Sequence, residues 1–173
     1  IYGGQGQGEL QFSQRYNGLH QDSNKYYYFE NHVNSLNSSD IIFINSGSTA
    51  SASELVQVSL MAYYSASHFT TIGLTTYGKP VGMNVWHWDD YSLVPITFRI
   101  VNNNGFTDYF DGLEAEVASS DDPRAHFGSD GDPMLQSVKD FLNGVSRSHR
   151  MGDMGRKKIS YRPNSLDELV GAF

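Results

Sequence analysis

The sequence predicts an α/β domain in which parallel strands are joined by a helix. Residues 41–45 form a short, continuous apolar run, as expected for a strand covered on both faces. Residues 51–66 carry apolar side chains with few helix breakers and predict a helix, and the β-branched residues 68–77 predict a second strand. A strand, a helix and a strand in this order form a right-handed crossover unit with parallel strands.

The segments before this unit predict one further strand and an aromatic cluster. Residues 1–8 are rich in glycine and predict a flexible entry, because they neither follow a strand nor match the GxGxxG pattern of a phosphate loop. Residues 9–16 alternate between apolar and polar side chains and predict a strand. The aromatic-rich residues 26–36 are ambiguous between strand and helix, and we interpret them as core packing rather than a ligand platform.

The second half of the chain predicts a hairpin and a helix. Residues 83–88 and 91–101 are expected to be strands that turn at Asp89-Asp90. Asp132 and Pro133 are typical of a helix start.

Gly144 is placed to end that helix. The globular core is therefore expected at residues 1–145, followed by a linker and a tail with a short terminal helix at residues 146–173.

Composition and charge disfavour several classes of function. The chain has 173 residues, 39% of them hydrophobic, which suits one domain. Its net charge is -7, and its acidic body argues against nucleic-acid binding. No apolar stretch approaches the ~20 residues of a membrane span. The absence of cysteine excludes disulfides, thiolate metal sites and thiol nucleophiles, and it is compatible with a periplasmic or secreted location in the bacterial envelope.

A run of small residues after the first predicted strand of the crossover unit contains a candidate nucleophile. Residues 47–54 read GSTASASE and lie where the strand turns into the helix. The first amides of a helix have no partner within the helix and form the positive end of its dipole. Ser51 would therefore have donors ready for a developing oxyanion. An ordinary Ser/Thr-rich helix cap is the alternative interpretation of the same run.

Lys79 is the best candidate for the base that a serine nucleophile needs. The six histidines form no recognisable pattern with Ser51, no G-x-S-x-G elbow is present, and no H-x-x-x-H spacing indicates a metal site. Lys79 follows the second strand of the predicted unit, and neighbouring parallel strands end at the same edge of a sheet. To act as a base at neutral pH, its pKa must fall from ~10.4 to about 7, which requires an apolar environment. A surface lysine in a Gly-Pro turn is the alternative.

Together the two segments resemble the active-site segments of C-terminal processing (tail-specific) serine peptidases. TASASEL at residues 49–55 is similar to the family's S-A-S-A-S-E, and TTYGKPVG at residues 75–82 is similar to its T-[FY]-G-K. The resemblance implies Ser51 as the nucleophile, Lys79 as the base, and the amide of Ser51 or Ala52 as an oxyanion donor. It also implies a crotonase-like (ClpP/crotonase) fold, protein or peptide substrates and no cofactor.

The resemblance also implies supporting residues around this pair. These residues are Thr49, Ala50 and Ser53, which would shape the turn, Glu54, which would cap the helix or support the site, and Gly78.

The chain departs from the family pattern in three places. Met83 occupies the position where some members have a glutamine that orients the base, and Glu114-Ala115-Glu116 replaces a proline and an aspartate. The family's upstream Arg-x-Asn-Gly-Gly strand, with half of the oxyanion hole, and its PDZ domain are not visible. We therefore expect the chain to be a C-terminal piece of a longer enzyme, possessing two catalytic residues rather than three.

Two alternatives to a peptidase remain at this stage. Some relatives of the fold bind small apolar ligands without peptidase chemistry, and the aromatic content of 13% is compatible with such a binding module. An acyl-CoA enzyme of the wider crotonase group is the other alternative, but it gives no reason for the Ser51 and Lys79 motifs.

Overall fold

A computed structural model describes residues 1–36 and 40–145, which form an α/β arrangement of parallel and antiparallel sheets, two α-helices and a short 3-10 helix at Gln21–Ser23. The strands are Leu10–Tyr16 (β1), Lys25–Tyr28 (β2), Ile41–Asn45 (β3), Phe69–Gly73 (β4), Val81–Met83 (β5), Trp86–Trp88 (β6), Tyr91–Leu93 (β7), Ile96–Asn102 (β8) and Val117–Ala118 (β9). The helices are Ala52–Met61 (α1) and Pro133–Leu142 (α2). In the described ranges no helix is long and apolar enough to cross a membrane. The tail predicted at residues 146–173 lies outside the described residues.

The predicted crossover unit is present as β3, α1 and β4. β3 and β4 are parallel, in a register that pairs Ile41 with Phe69 and Asn45 with Gly73. The sheet order is β3-β4-β9, so β4 is the central strand and all five of its residues are buried. The prediction that β3 is covered on both faces is wrong, because β3 lies at the sheet edge and Ile44 is half exposed.

A second sheet joins strands that are distant in sequence. Its order is β2-β1-β8-β5 and all of its pairings are antiparallel, which confirms the strand predicted at residues 9–16. The predicted hairpin forms between β6 and β7, with Asp89 at a φ of 52° in its turn. The second strand of the hairpin is shorter than predicted, because β7 ends at Leu93. The residues that follow form β8, which pairs with β1 and β5 instead.

Helix α1 packs between two apolar clusters. One cluster consists of Phe29, Leu60 and Phe69, and the other of Val58, Tyr109 and Leu113. Full burial of one such side chain contributes about 1.5–3 kcal/mol. The helix ends at Met61 rather than at residue 66. Because Val58 and Leu60 belong to the two clusters, the clusters hold the C-terminal half of the helix.

Buried amide side chains fix the middle of helix α1 against both sheets. Asn45, the last residue of β3, and Gln57 exchange two hydrogen bonds of 2.9 Å, and each side chain is 1% exposed. Asn102, at the end of β8, donates to the carbonyl oxygen of Val58 at 2.9 Å. Because buried polar groups need partners, these bonds allow one arrangement of the helix relative to both sheets.

The N-terminal and aromatic segments differ from their predictions. Tyr2 packs against Phe29 and Tyr63, with ring centroids 5.2 and 4.9 Å apart, so the glycine-rich entry is docked onto the core rather than flexible. Residues 26–28 lie in β2 at a sheet edge and are all exposed, so Phe29 is the buried member of this aromatic segment, while Tyr27 stacks on the core residue Phe12 with ring centroids 4.5 Å apart.

The predicted start of α2 is confirmed. The Asp132 carboxylate accepts hydrogen bonds from the amides of Met134 and Leu135, and it also accepts one from Gly128. These bonds, that from Gly128 foremost, lower the pKa of Asp132. Gly144 follows the helix in the left-handed region, with a φ of 71°.

We predict that Gly73→Ala is strongly destabilising, whereas Gly47→Ala is not. Gly73 has a φ of 128°, and a Cβ atom there would lie 2.0 Å from the carbonyl oxygen of Asn45. Strain and overpacking should lower the free energy of unfolding by about 2–4 kcal/mol. A Cβ atom on Gly47 meets nothing within 4 Å. Urea unfolding of both variants tests this, and equal stabilities would contradict the close approach of the two backbones.

Candidate active site

Ser51 lies at the junction between β3 and α1 in a strained backbone conformation. It is the N-cap residue of the helix, and its φ of 50° and ψ of -109° are unusual for a residue with a side chain. Such a conformation costs on the order of 1–3 kcal/mol and persists only where the surroundings impose it. Residues of this kind cluster at functional sites, so the observed strain supports a functional role for Ser51.

One buried carboxylate connects Ser51 to the segment that carries Lys79. Glu54 is completely buried, and its Oε2 atom accepts hydrogen bonds from the amides of Ser51 and Lys79, each at 2.9 Å. Its Oε1 atom accepts from the amide of Gly78 at 2.7 Å and from the hydroxyl of Thr76 at 2.5 Å. Four donors from two separate loops therefore converge on a single side chain.

This shared acceptor brings the two predicted catalytic segments together. The amide nitrogens of Ser51 and Lys79 each lie 2.9 Å from the same Glu54 oxygen, so the two nitrogens are separated by at most twice that distance. A further hydrogen bond, from the amide of Tyr77 to the carbonyl oxygen of Thr49 at 2.8 Å, joins the same two loops. The backbones of the predicted nucleophile and base are thus adjacent.

The route by which Lys79 reaches this place differs from the prediction. Lys79 does not follow the strand directly, because β4 ends at Gly73 and residues 74–78 form a loop. The amide of Leu74 donates to the carbonyl oxygen of Asn45, and from there the chain leaves the sheet toward Glu54. Hydrogen bonds to Asn45 and Glu54, rather than strand pairing, therefore hold this loop.

Gly78 is required by a close backbone crossing. Its φ is 89°, and a Cβ atom there would lie 2.4 Å from the carbonyl oxygen of Phe110 and 2.5 Å from the amide nitrogen of Gly112. The Thr76 hydroxyl accepts a hydrogen bond from the amide of Leu113 at 2.7 Å while it donates to Glu54. The loop that carries Lys79 is therefore fixed between Glu54 and residues 110–113.

Burial lowers the pKa of Lys79, whereas the negative charge of Glu54 raises it, and burial is the larger effect. The direction is the one that a catalytic base needs. The predicted apolar surroundings are only partly present, because Pro80 is buried but Tyr77 is exposed. Beneath the site, burial and then the charge of Glu54 raise the pKa of Tyr109.

The expected oxyanion donors differ in their availability. The Ser51 amide already donates to Glu54, so it is engaged in this arrangement. The Ala52 amide, at the first helical position, has no acceptor among residues 1–36 and 40–145. Of the two expected donors, Ala52 is therefore the one that is not already engaged within the described residues.

The remaining predicted site residues build the turn before the helix. The Thr49 hydroxyl accepts from the amide of Ser46 at 3.0 Å, and the carbonyl oxygen of Ala50 accepts from the amide of Ser53 at 3.0 Å. Met83 lies in β5 opposite Ile96 and brings no polar group to the site. Within the described part of the chain, no group of three His, Asp or Glu residues could hold a metal ion.

Sequence reasoning missed most of the role of Glu54. Its place three residues after Ser51 indicates a reciprocal helix cap, and the bond to the Ser51 amide is of that kind. The bonds to Thr76, Gly78 and Lys79 are long-range, and no local pattern predicts them.

Comparison with solved structures shows two proteins with a similar fold. The chain is similar to a Bacteroides fragilis protein named as a candidate S41 protease, with a TM-score of 0.70 and 21% identity over 80% of this chain and 37% of that one. It is also similar to a lipoprotein from Streptococcus agalactiae, with a TM-score of 0.52 and 12% identity over 82% of this chain and 47% of that one. The chain thus spans less than half of either protein.

A weaker likeness links the chain to a photosystem II D1 C-terminal processing protease. It has a TM-score of 0.42 and 21% identity over 53% of this chain and 24% of that one, which is too partial to support an argument. No protein-family model matches the sequence, and no curated protein matches it.

We predict that Glu54→Gln destabilises the fold by about 2–6 kcal/mol. The side-chain nitrogen of glutamine cannot accept a hydrogen bond, so at least two of the four buried donors lose their acceptor. Each loss costs about 1–3 kcal/mol. Urea unfolding followed by far-UV circular dichroism measures the change. Glu114→Gln, at an exposed position, is the matched control and should leave stability unchanged. Equal midpoints for the two variants would show that Glu54 does not hold the loops.

Proposed function

We propose that this chain is the catalytic part of a serine peptidase of the C-terminal processing kind, in which Ser51 is the nucleophile and Lys79 the general base. The observation that carries the proposal is the buried Glu54 carboxylate, which binds the backbone of both residues through the same oxygen. The strained conformation of Ser51, the lowered pKa of Lys79 and the protease-like fold support it.

In the proposed reaction, the neutral amine of Lys79 takes the proton of the Ser51 hydroxyl as its oxygen attacks the carbonyl carbon of the substrate peptide bond. The Ala52 amide donates to the oxyanion that forms, a kind of interaction that is often worth about 2.7–4 kcal/mol. The Lys79 ammonium then returns the proton to the leaving amine, the C–N bond breaks, and an acyl-enzyme remains on Ser51. Water attacks the ester, Lys79 takes its proton, and the Ser51 hydroxyl is restored as the acid product leaves.

The wider features of the proposal follow from this chemistry. The substrate is a protein or peptide, neither a cofactor nor a nucleic acid takes part, and the fold is crotonase-like. Thr49, Ala50, Ser53 and Gly78 support the site through the backbone. We place the protein in the periplasm or outside the cell, an assignment with which the likeness to a lipoprotein is compatible.

A non-catalytic binding module of the same fold is the second candidate. The likeness to the lipoprotein favours it, because that protein is not named as a protease. Met83, in place of a polar residue beside the base, also favours it. Such a module would bind an apolar ligand or peptide and would turn over no substrate.

We predict that Ser51→Ala and Lys79→Met each reduce hydrolysis of an unfolded protein substrate by at least about 10³-fold. The assay uses this chain and the longest natural polypeptide that contains it. Ser23→Ala and Lys25→Met, both at exposed positions outside the two site loops, should retain full activity. Hydrolysis that survives Ser51→Ala would refute the peptidase assignment, and a folded polypeptide without any turnover would favour the binding module.

We predict that kcat/KM rises with pH, with a midpoint below the ordinary lysine value of ~10.4. Lys79 must be neutral to accept a proton, and its burial favours the neutral amine. Removing the charge of Glu54 takes away the effect that raises the Lys79 pKa, so Glu54→Gln should move the midpoint to lower pH. Stopped assays across the pH range measure both midpoints, and a shift of the variant to higher pH would contradict this electrostatic account.

A further inference from the structure

The hairpin formed by β6 and β7 presents an exposed aromatic face. Trp86 pairs with Leu93 and Trp88 with Tyr91, so these four side chains project from the same side of the ribbon. All four are exposed: Trp86 to 48%, Leu93 to 64%, Tyr91 to 77% and Trp88 to 84%. The remaining pair, His87 and Ser92, lies on the opposite side, where the two side chains are joined by a hydrogen bond of 2.9 Å.

The charged side chains of the hairpin itself are all negative. Residues 80–98 include two acidic side chains, Asp89 and Asp90 at the tip of the hairpin, and no lysine or arginine. Both carboxylates are exposed. Indole and phenol rings attract cations over their faces, and neighbouring carboxylates strengthen that preference. The surface is therefore complementary to a ligand that combines apolar groups with positive charge.

The aromatic face is also close to the proposed site along the chain. β5 begins two residues after Lys79, and β6 begins three residues after β5 ends. Seven residues separate the Cα atoms of Lys79 and Trp86, so these atoms are at most ~25 Å apart. A single extended peptide of about that many residues reaches from one to the other.

We propose that the aromatic face of the hairpin binds a substrate segment in which apolar and cationic side chains follow one another at every second position, lying within about seven residues of the bond that is cut. This inference rests on the proposed peptidase function for the identity of the ligand as a substrate. An extended peptide places every second side chain on the same side, so a lysine or arginine can lie over the rings while an apolar side chain two residues away contacts Leu93.

Two other occupants fit the surface less well. A stable interface between two copies of a chain takes roughly 20–30 residues from each, and four side chains fall far short of that number. An anionic membrane surface would be repelled by Asp89 and Asp90 at the hairpin tip.

The test uses the intrinsic fluorescence of the chain, whose only two tryptophans are Trp86 and Trp88. The probe is a glycine-serine peptide with a central Leu-Ser-Lys-Ser-Leu-Ser-Lys segment, titrated into the Ser51→Ala chain so that it is not consumed. We expect a saturable blue shift of the emission. Trp88→Ala and Tyr91→Ala should each weaken binding by at least about fivefold, as for the residues that dominate interfaces. Phe127→Ala removes an equally exposed aromatic ring elsewhere and should have no effect.

Control ligands separate the alternatives. Peptides in which lysine is replaced by glutamate, or leucine by serine, should bind at least about tenfold more weakly, because each loses one of the two kinds of contact. Equal binding of the glutamate peptide, or no shift with the lysine peptide, would overturn the inference. A shift that grows with protein concentration in the absence of peptide, or one seen only with neutral phosphatidylcholine vesicles, would overturn it in favour of a second copy or of a membrane.

Failure of this inference is distinguishable from failure of the peptidase assignment. Binding is measured in a variant that has no nucleophile, so it is independent of turnover. Cleavage sites are mapped separately, by mass spectrometry of an unfolded protein digested with the Ser51 form. Cuts within about seven residues of apolar and cationic segments support the inference, and cuts unrelated to such segments refute it while leaving the catalytic pair intact.

Discussion

The buried carboxylate of Glu54 is the constraint on which the site depends. An ionised side chain removed from water is very costly unless hydrogen bonds replace its hydration, and hydrogen bonds to charged groups are worth about 1.5–3 kcal/mol each. Glu54 obtains its four donors from the start of its own helix and from a loop more than twenty residues away. Neither loop can satisfy the carboxylate alone, so the turn at Ser51 and the loop that carries Lys79 must become ordered together.

This arrangement places a negative charge near Lys79, whose proposed role as a base requires a lowered pKa. The Glu54 charge favours the ammonium form, yet burial outweighs it and the pKa of Lys79 is lowered. The carboxylate oxygens face three amides and a hydroxyl, whose partial positive charges offset part of the field that Lys79 experiences. The same bonds that hold the backbone of Lys79 near Ser51 thus moderate the electrostatic cost of having a carboxylate there.

The sequence was informative where structure is decided locally. Alternation predicted β1, the turn residues predicted the β6–β7 hairpin, and Asp132 with Pro133 predicted the start of α2. These signals work because they act within a few residues, through side-chain periodicity and capping bonds. The two motifs at Ser51 and Lys79 likewise indicated which loops meet, although they carried no information on what holds them together.

The errors fall where distant contacts decide. Residues 41–45 and 69–73 are both apolar, and composition cannot tell which strand becomes central, because that depends on the pairing of β9 with β4. The β-branched residues after Gly73 have high strand propensity, yet they form a loop. Thr76 there bonds to Glu54 and Leu113 instead of to a neighbouring strand. Strand propensity is weak, on the scale of ~1 kcal/mol, and a buried carboxylate that needs donors outweighs it.

The strained backbone at Ser51 follows from the same constraint. Glycine would adopt a φ of 50° without cost, so the presence of a serine at this position must be explained by its side chain. The conformation is fixed from both sides, because the Ser51 amide is bonded to Glu54 and its carbonyl oxygen accepts from the amide of Leu55. A residue held between two such bonds cannot relax by rotating its backbone. The direction of the Cα–Cβ bond of Ser51 is therefore set by the fold, which is what the proposed nucleophile needs in order to meet its substrate without first reorganising its backbone.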